Sequence, residues 1–356
     1  MRKNRLTVTP LLLLVLMAGA VLFPAEVSAA CADSIMRCVK VIIPSLFMFM
    51  AVSKLLIATG ASDMLSKPLD KLFSKVLGIP YGGASVFIIS NAAGYPVGAG
   101  MLSELVSNGR MSRASAEAMS VYCYAAGPAF ILNIIGSGVF SDSRVGIVIF
   151  LSIIFTNLLL AAIIGRISKP GITSSHPPKI NFAEALTDSV ASAGDSLLKM
   201  CFMIVFFSAI TAVADCFGLF SLVENTFGMS GNAMILFRSA FEITNLCSLS
   251  SNAAGLIPFV TVICGFGGIC VVLQTAAVIH SGYSIKKFLL YLPVRAIMNY
   301  AFAKLFCRLM LEDSIPVFVK SEKIIVELDN LLPSICLIMM IFILVLQKRL
   351  DFFHKV

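Results

Sequence analysis

The chain has 356 residues, 58% of them hydrophobic and 13% charged, with a net charge of +8. A soluble domain carries about 25% charged residues, so a soluble chain this apolar would lack the polar surface to cover itself. The basic excess sits in short loops between apolar runs rather than in a patch, which excludes nucleic-acid binding and reads as a topology signal.

The N-terminus opens with MRKNR, an apolar run from Leu11 to Phe23, and VSAA at 27–30. This pattern resembles a cleavable signal peptide. The apolar runs that follow favour an uncleaved first span, and residues 1–34 are read as a signal-anchor-like unit. Further runs cover about 35–59, 117–139, 145–167, 196–217, 256–280, 288–311 and 331–347, each long enough to cross a bilayer as a helix. With the first run they make about eight transmembrane helices. Two segments, 83–102 and 231–254, are moderately apolar but broken by Gly, Pro, Asn and charge. They suit re-entrant hairpins, which dip into the membrane and return.

The linker 169–181 is rich in Pro and Ser, and 182–195 places Phe182, Leu186, Val190 and Ala193 on one helical face. That face predicts an amphipathic helix at the cytoplasmic surface. Residues 312–330 read as an external loop before the last span. With the N-terminus inside, Lys67, Lys71, Lys75, Arg110, Arg113, Lys169, Lys286 and Lys287 fall inside as well, as the positive-inside rule asks. Arg37 and Lys40 dissent.

The order span, hairpin, Gly-interrupted span, span occurs twice, in 35–168 and 196–311. The first hairpin enters from the cytoplasm and the second from outside. The expected architecture is therefore an all-α polytopic membrane protein with an inverted repeat. In such folds, broken helices expose backbone groups to a solute near the midplane.

The candidate site residues follow from those breaks. Asn91, Gly94, Tyr95, Pro96 and Gly98 form a helix-breaking stretch whose freed backbone groups need a partner. A solute is one such partner; a tight hairpin tip is the alternative. Gly127 and Pro128 interrupt the next span, and Gly267 and Gly268 do so in the second half, with Gln274 a turn or two beyond. Arg238 and Glu242 lie four apart in the second hairpin, followed by Thr244 and Asn245. They form an ion pair with each other, or Arg238 attracts an anion while Glu242 holds a coupling ion.

No nucleophile–base pair and no P-loop is present, so no enzyme is expected. The ten cysteines show no CxxC, and the three histidines, His176, His280 and His354, are far apart. No metal site or cofactor follows from such spacing.

The stretch Gly94–Ala99, with Glu117-Ala118, Cys123, Gly127 to Ile131 and Gly136, resembles the sporulation integral membrane protein family of the YlbJ/SpoVV type. Phe241 to Thr244 and Phe266 to Gly268 with Gln274 resemble its second-half pattern. The family carries a nucleoside-recognition or gate type of membrane domain. The resemblance implies transport of a small anion, dipicolinic acid, across the outer forespore membrane, with a small-molecule substrate, a coupling ion and the bilayer as partners. Relatives are expected to have Ser at Ala93 and a more polar run at Tyr124 to Ala126. A nucleoside or other heteroaromatic carrier, or a non-transporting sporulation scaffold, are the competing expectations.

Overall fold

The computed structural model describes residues 5–172, 181–228, 231–249, 254–280 and 282–311. Among them every regular element is helical, and the one β-type contact is an isolated bridge between Met111 and Ile172. The expected loop 312–330 and the expected span 331–347 lie outside the described residues.

Helix α1 (Arg5–Leu22) bends by 100° into α2 (Pro24–Arg37), with Pro24 at the first position of the new helix. There its missing N–H leaves no bond unmade. A π turn (Cys38–Ile42) joins α2 to α3 (Ile43–Ala58) without a non-helical residue between them. Pro44 explains the turn: its ring clashes with the carbonyl four residues back and it has no N–H to donate, so the preceding turn widens. Gly60, at φ +72°, swings the chain through 87° into α4 (Ala61–Leu77). That helix buries Ser62, Ser66 and Asp70 while Lys67, Lys71 and Lys75 face outward.

The first expected hairpin forms from α5 (Ala84–Ala93) and α6 (Val97–Ser107), which fold back on each other at Gly94 to Pro96. A Cβ on Gly98 would lie 2.7 Å from Cβ of Ser90, a proximity impossible between residues eight apart on a continuous helix. The expected span at 117–139 is not one helix. It divides into α7 (Arg113–Ser120), a non-helical stretch 121–127, and a π-helix (Ala129–Val139). Gly127 and Pro128 break the ladder there, as their chemistry requires. Asp142 then caps α8 (Ser143–Ser168), accepting from the Arg144 N–H at 2.9 Å. Partial burial works to raise the Asp142 carboxyl, but the Arg144 hydrogen bonds prevail and hold it below its ordinary value.

The 35-residue helix α9 (Phe182–Cys216) absorbs the expected surface helix and the following span into one rod. It lies antiparallel to α2 and α3: Lys54 meets Ser192, Cys38 meets Cys201, and Ala30 meets Ser208. Gly218 and Gly228, both at positive φ, bracket α10 (Leu219–Phe227). The second expected hairpin contains α11 (Gly231–Ser239), a break at 240–242 and a 3₁₀ helix (Ile243–Ser248). Helices α12 (Ile257–Phe266) and α13 (Gly268–Ala277) are divided at Gly267, and α14 (Lys286–Met310) follows.

Among the described residues, three stretches are long and apolar enough to cross a membrane: α8, α9 and Ile257–Ala277; counting each bent pair as one span gives up to five. Helix α14 has the length, but Lys286, Lys287, Arg295, Lys304 and Arg308 lower its apolar character. These helices and the mean hydropathy of +0.96 describe an integral membrane protein. The basic residues of several elements gather at one end. Arg166 donates to the Val76 carbonyl, Lys287 to Ser168, and Arg113 lies beside Gly282.

Candidate functional site

The break in the first hairpin is pressed against the break in the helix that follows it. The Tyr95 N–H donates to the Ala125 carbonyl at 2.7 Å. A Cβ on Gly94 would lie 2.6 Å from the Gly127 Cα, and Gly94 has φ +84°. Only glycine meets both demands. Tyr95 joins Pro96 through a cis peptide bond.

The second half contains a matching junction. The N–H groups at the start of α13 reach back to the broken segment of the second hairpin: Ile269 donates to Ala240 at 2.9 Å and Cys270 to Phe241 at 3.0 Å. Gly268, at φ +83°, sits within 3.1–3.3 Å of three backbone carbonyls for a Cβ built on it. Two tyrosines tie the junctions together. The Tyr124 hydroxyl donates to the Phe266 carbonyl at 2.7 Å, and the Tyr95 hydroxyl to Cys264 at 3.4 Å. Their rings are 4.9 Å apart.

Arg295, from the middle of α14, fills the first junction. It is 1% exposed. Its guanidinium donates to the carbonyls of Val121 and of Tyr124, the latter at 3.1 Å, and lies 5.6 Å from the Tyr124 ring centre. Among the described residues it forms no ion pair with a carboxylate. A buried charge ordinarily has a counter-charge; here only carbonyl dipoles and an aromatic face offset it.

Amides lie near this cation. Asn157 of α8 donates to the same Tyr124 carbonyl at 3.0 Å and to Asn91 at 2.6 Å, while Asn91 donates to Phe87 at 2.7 Å. The contacts of Ser168 with Lys287 and of Phe155 with Phe302 set α8 and α14 antiparallel, which brings Asn299 level with Asn157. Both are fully buried, and the Asn157 Oδ1 and both amide atoms of Asn299 have no protein partner. Unmade hydrogen bonds in a dry interior cost about 1–3 kcal/mol each, so these three atoms, on two helices packed together and with the Asn299 amide against Gly265 of α12, mark a region adapted to something polar.

The candidates from the sequence divide accordingly. Asn91, Gly94, Tyr95, Pro96, Gly98, Gly127 and Pro128 gather at the first junction, and Gly267 and Gly268 at the second. Gln274 is buried but bonds within its own helix, donating to Cys270 Sγ at 3.1 Å. Glu242, also buried, caps the 3₁₀ helix through the Thr244 N–H at 3.0 Å and through the Thr244 hydroxyl, which also accepts from Arg37 at 2.9 Å. Asn245 donates to the Glu242 carbonyl at 2.9 Å. The expected pairing of Arg238 with Glu242 does not form. Arg238 pairs instead with Asp215 of α9 at 2.7 Å and stacks on Phe220 at 4.3 Å; the Glu242 N–H still donates to the Arg238 carbonyl at 3.2 Å, but the backbone turns extended at Glu242 and its carboxylate goes to Thr244. Sequence reading missed Arg295, Asn157 and Asn299. A charge seven residues inside a predicted span was the available signal.

No protein-family model matches the chain, and no solved structure matches it. Over 110 residues, 31% of the chain, it is 28% identical to the "Sporulation integral membrane protein YlbJ" of Bacillus subtilis (strain 168). The match spans 27% of that relative's length. It agrees with the resemblance drawn from the motifs.

Proposed function

We propose that the protein is a secondary transporter of a small polar anion in a sporulating cell, and that Arg295 is the group that holds the anion. One observation carries this reading: Arg295 is a fully buried cation without a carboxylate partner among the described residues, near amides with unmade hydrogen bonds. An anion arriving there supplies the missing counter-charge, and a guanidinium presents the fork that a carboxylate fits.

The repeated element order supports alternating access. Each half has a long helical rod, a helix bracketed by positive-φ glycines (17 residues in α4, 9 in α10), a broken hairpin, a broken helix and a final long helix. The two rods run antiparallel, as an inverted repeat requires. In this reading the end rich in basic residues faces the cytoplasm, the chain crosses the membrane several times, and the remaining expected spans complete the crossing. The relative's name supports the sporulation setting. Dipicolinic acid, a small planar dianion, is the proposed cargo and the outer forespore membrane the proposed location, with a proton or sodium gradient as the driving force. No catalytic step is proposed.

The test is uptake of labelled dipicolinate into liposomes containing the purified chain, with and without each gradient. Saturable uptake that Arg295→Leu lowers by about 30-fold or more is expected, the scale of about 2 kcal/mol or more for stripping one partner from a buried charge pair. Uptake unchanged in that variant overturns the reading. Stronger competition by nucleosides than by dicarboxylates assigns the site to a heteroaromatic carrier instead.

A further inference from the structure

A narrow cleft with a cavity volume of about 70 Å³ runs along α6, between it and helices α3 and α9. Its wall extends from Pro96, at the hairpin tip, to Ser107, the full length of α6. That is roughly 16 Å at 1.5 Å per residue. Lys54, Ser196 and His280 line the facing side, and a smaller hollow sharing Ser196 and His280 continues to Gln274. The inner end therefore lies next to Tyr95, whose ring packs on Tyr124, the residue whose carbonyl Arg295 holds. The outer end lies by Lys54, one turn before the bend into basic α4. Lys54 donates to Ser192 at 2.5 Å and forms no ion pair with Glu104 across the cleft.

A helical glycine costs about 1 kcal/mol against alanine, so it normally has a conformational or packing reason. Gly100 has neither. It is absent from the positive-φ glycines, and a Cβ built on it meets nothing within 4 Å. Its neighbours Ala99 and Met101 are 5% and 2% exposed. Of the two glycines of α6, Gly98 packs against Ser90 and Cys123, and Gly100 leaves its missing side chain toward the cleft.

We infer that this cleft is the access path by which a small carboxylate solute travels between the basic end of the molecule and the Arg295 junction, and that Gly100 keeps it open. The inference rests on the transport reading. Alternating access needs a path on each side in turn, so a plug in this one stops net flux in either direction.

The test replaces Gly100 with Ala, Leu and Trp and measures dipicolinate uptake in liposomes beside the thermal midpoint of each variant. Gly194→Trp is the control, since Gly194 is equally open but lines no part of the cleft. The expected result is near-normal uptake for G100A and G194W, and uptake falling with side-chain size to at least about tenfold below normal in G100W, at an unchanged midpoint. Should G100W fold poorly, G100L decides by the same criterion. Normal uptake by every folded Gly100 variant, or an equal loss in all three, overturns the access path and leaves the transport reading standing. Absence of Arg295-dependent uptake in the unaltered protein overturns both.

Discussion

At the first junction a hairpin tip meets an unwound strand, glycine against glycine, and the charge buried beside it is Arg295, delivered by a helix about 200 residues away in the chain. At the second junction, helix N–H groups bond the unwound segment's carbonyls, and the buried charge is Glu242, from within the segment itself. The backbone plan is shared and the charges are opposite. Glu242 is served by its own Thr244 and, through it, by Arg37. Among the described residues Arg295 has no such counter-charge. The difference assigns the second junction a structural load and leaves the first with an unanswered cation.

The largest expected effect is on the first junction: Gly94→Ala combines a positive φ with backbone 2.6 Å from the new Cβ. A loss above about 3 kcal/mol is expected, the upper end of what strained residues carry, read as a fall in the thermal midpoint in detergent. Gly268→Ala meets carbonyl oxygens only at 3.1–3.3 Å, at a similar φ. About 1–3 kcal/mol is expected there. A larger loss at Gly268 than at Gly94 reverses the order of tightness argued for the two junctions. The smallest effect belongs to Arg238→Ala. Its pair with Asp215 is partly exposed, at 33% and 45% for the two side chains, and such pairs contribute about 0–1 kcal/mol. Uptake within about threefold of normal is expected; a loss matching that of Arg295→Leu gives the anion site to the second hairpin.

Much of this plan was legible in the sequence. Gly94, Pro96, Gly127, Pro128 and Gly267 announce breaks because glycine and proline weaken a helix, and the structure breaks at each of them, although Pro10, Pro68 and Pro293 lie within continuous helices. Long apolar runs gave α8 and α9. Span number was less legible, since length and hydropathy do not report the sharp bends at Phe23 and Gly60 or the unwinding of 121–127. The site was half legible. Arg238 and Glu242 drew attention by their spacing, yet spacing implies a shared face only while the helix continues, and it stops at 240. Arg295 was hidden among the basic residues of α14, where Lys286 and Arg308 at the ends made a charge in the middle look ordinary. Asn157 and Asn299 became meaningful only when antiparallel packing set them level.

The most direct test of the central claim is dipicolinate binding read as thermal stabilisation in detergent, comparing the unaltered protein with Arg295→Gln. A ligand that binds only the folded state raises stability by RT ln(1 + [L]/Kd), about 2.7 kcal/mol at a hundredfold excess over Kd. A saturable upward shift in the unaltered protein that is lost in Arg295→Gln is the predicted result. An equal shift in both, or none in the unaltered protein, contradicts the assignment of Arg295 as the anion's partner.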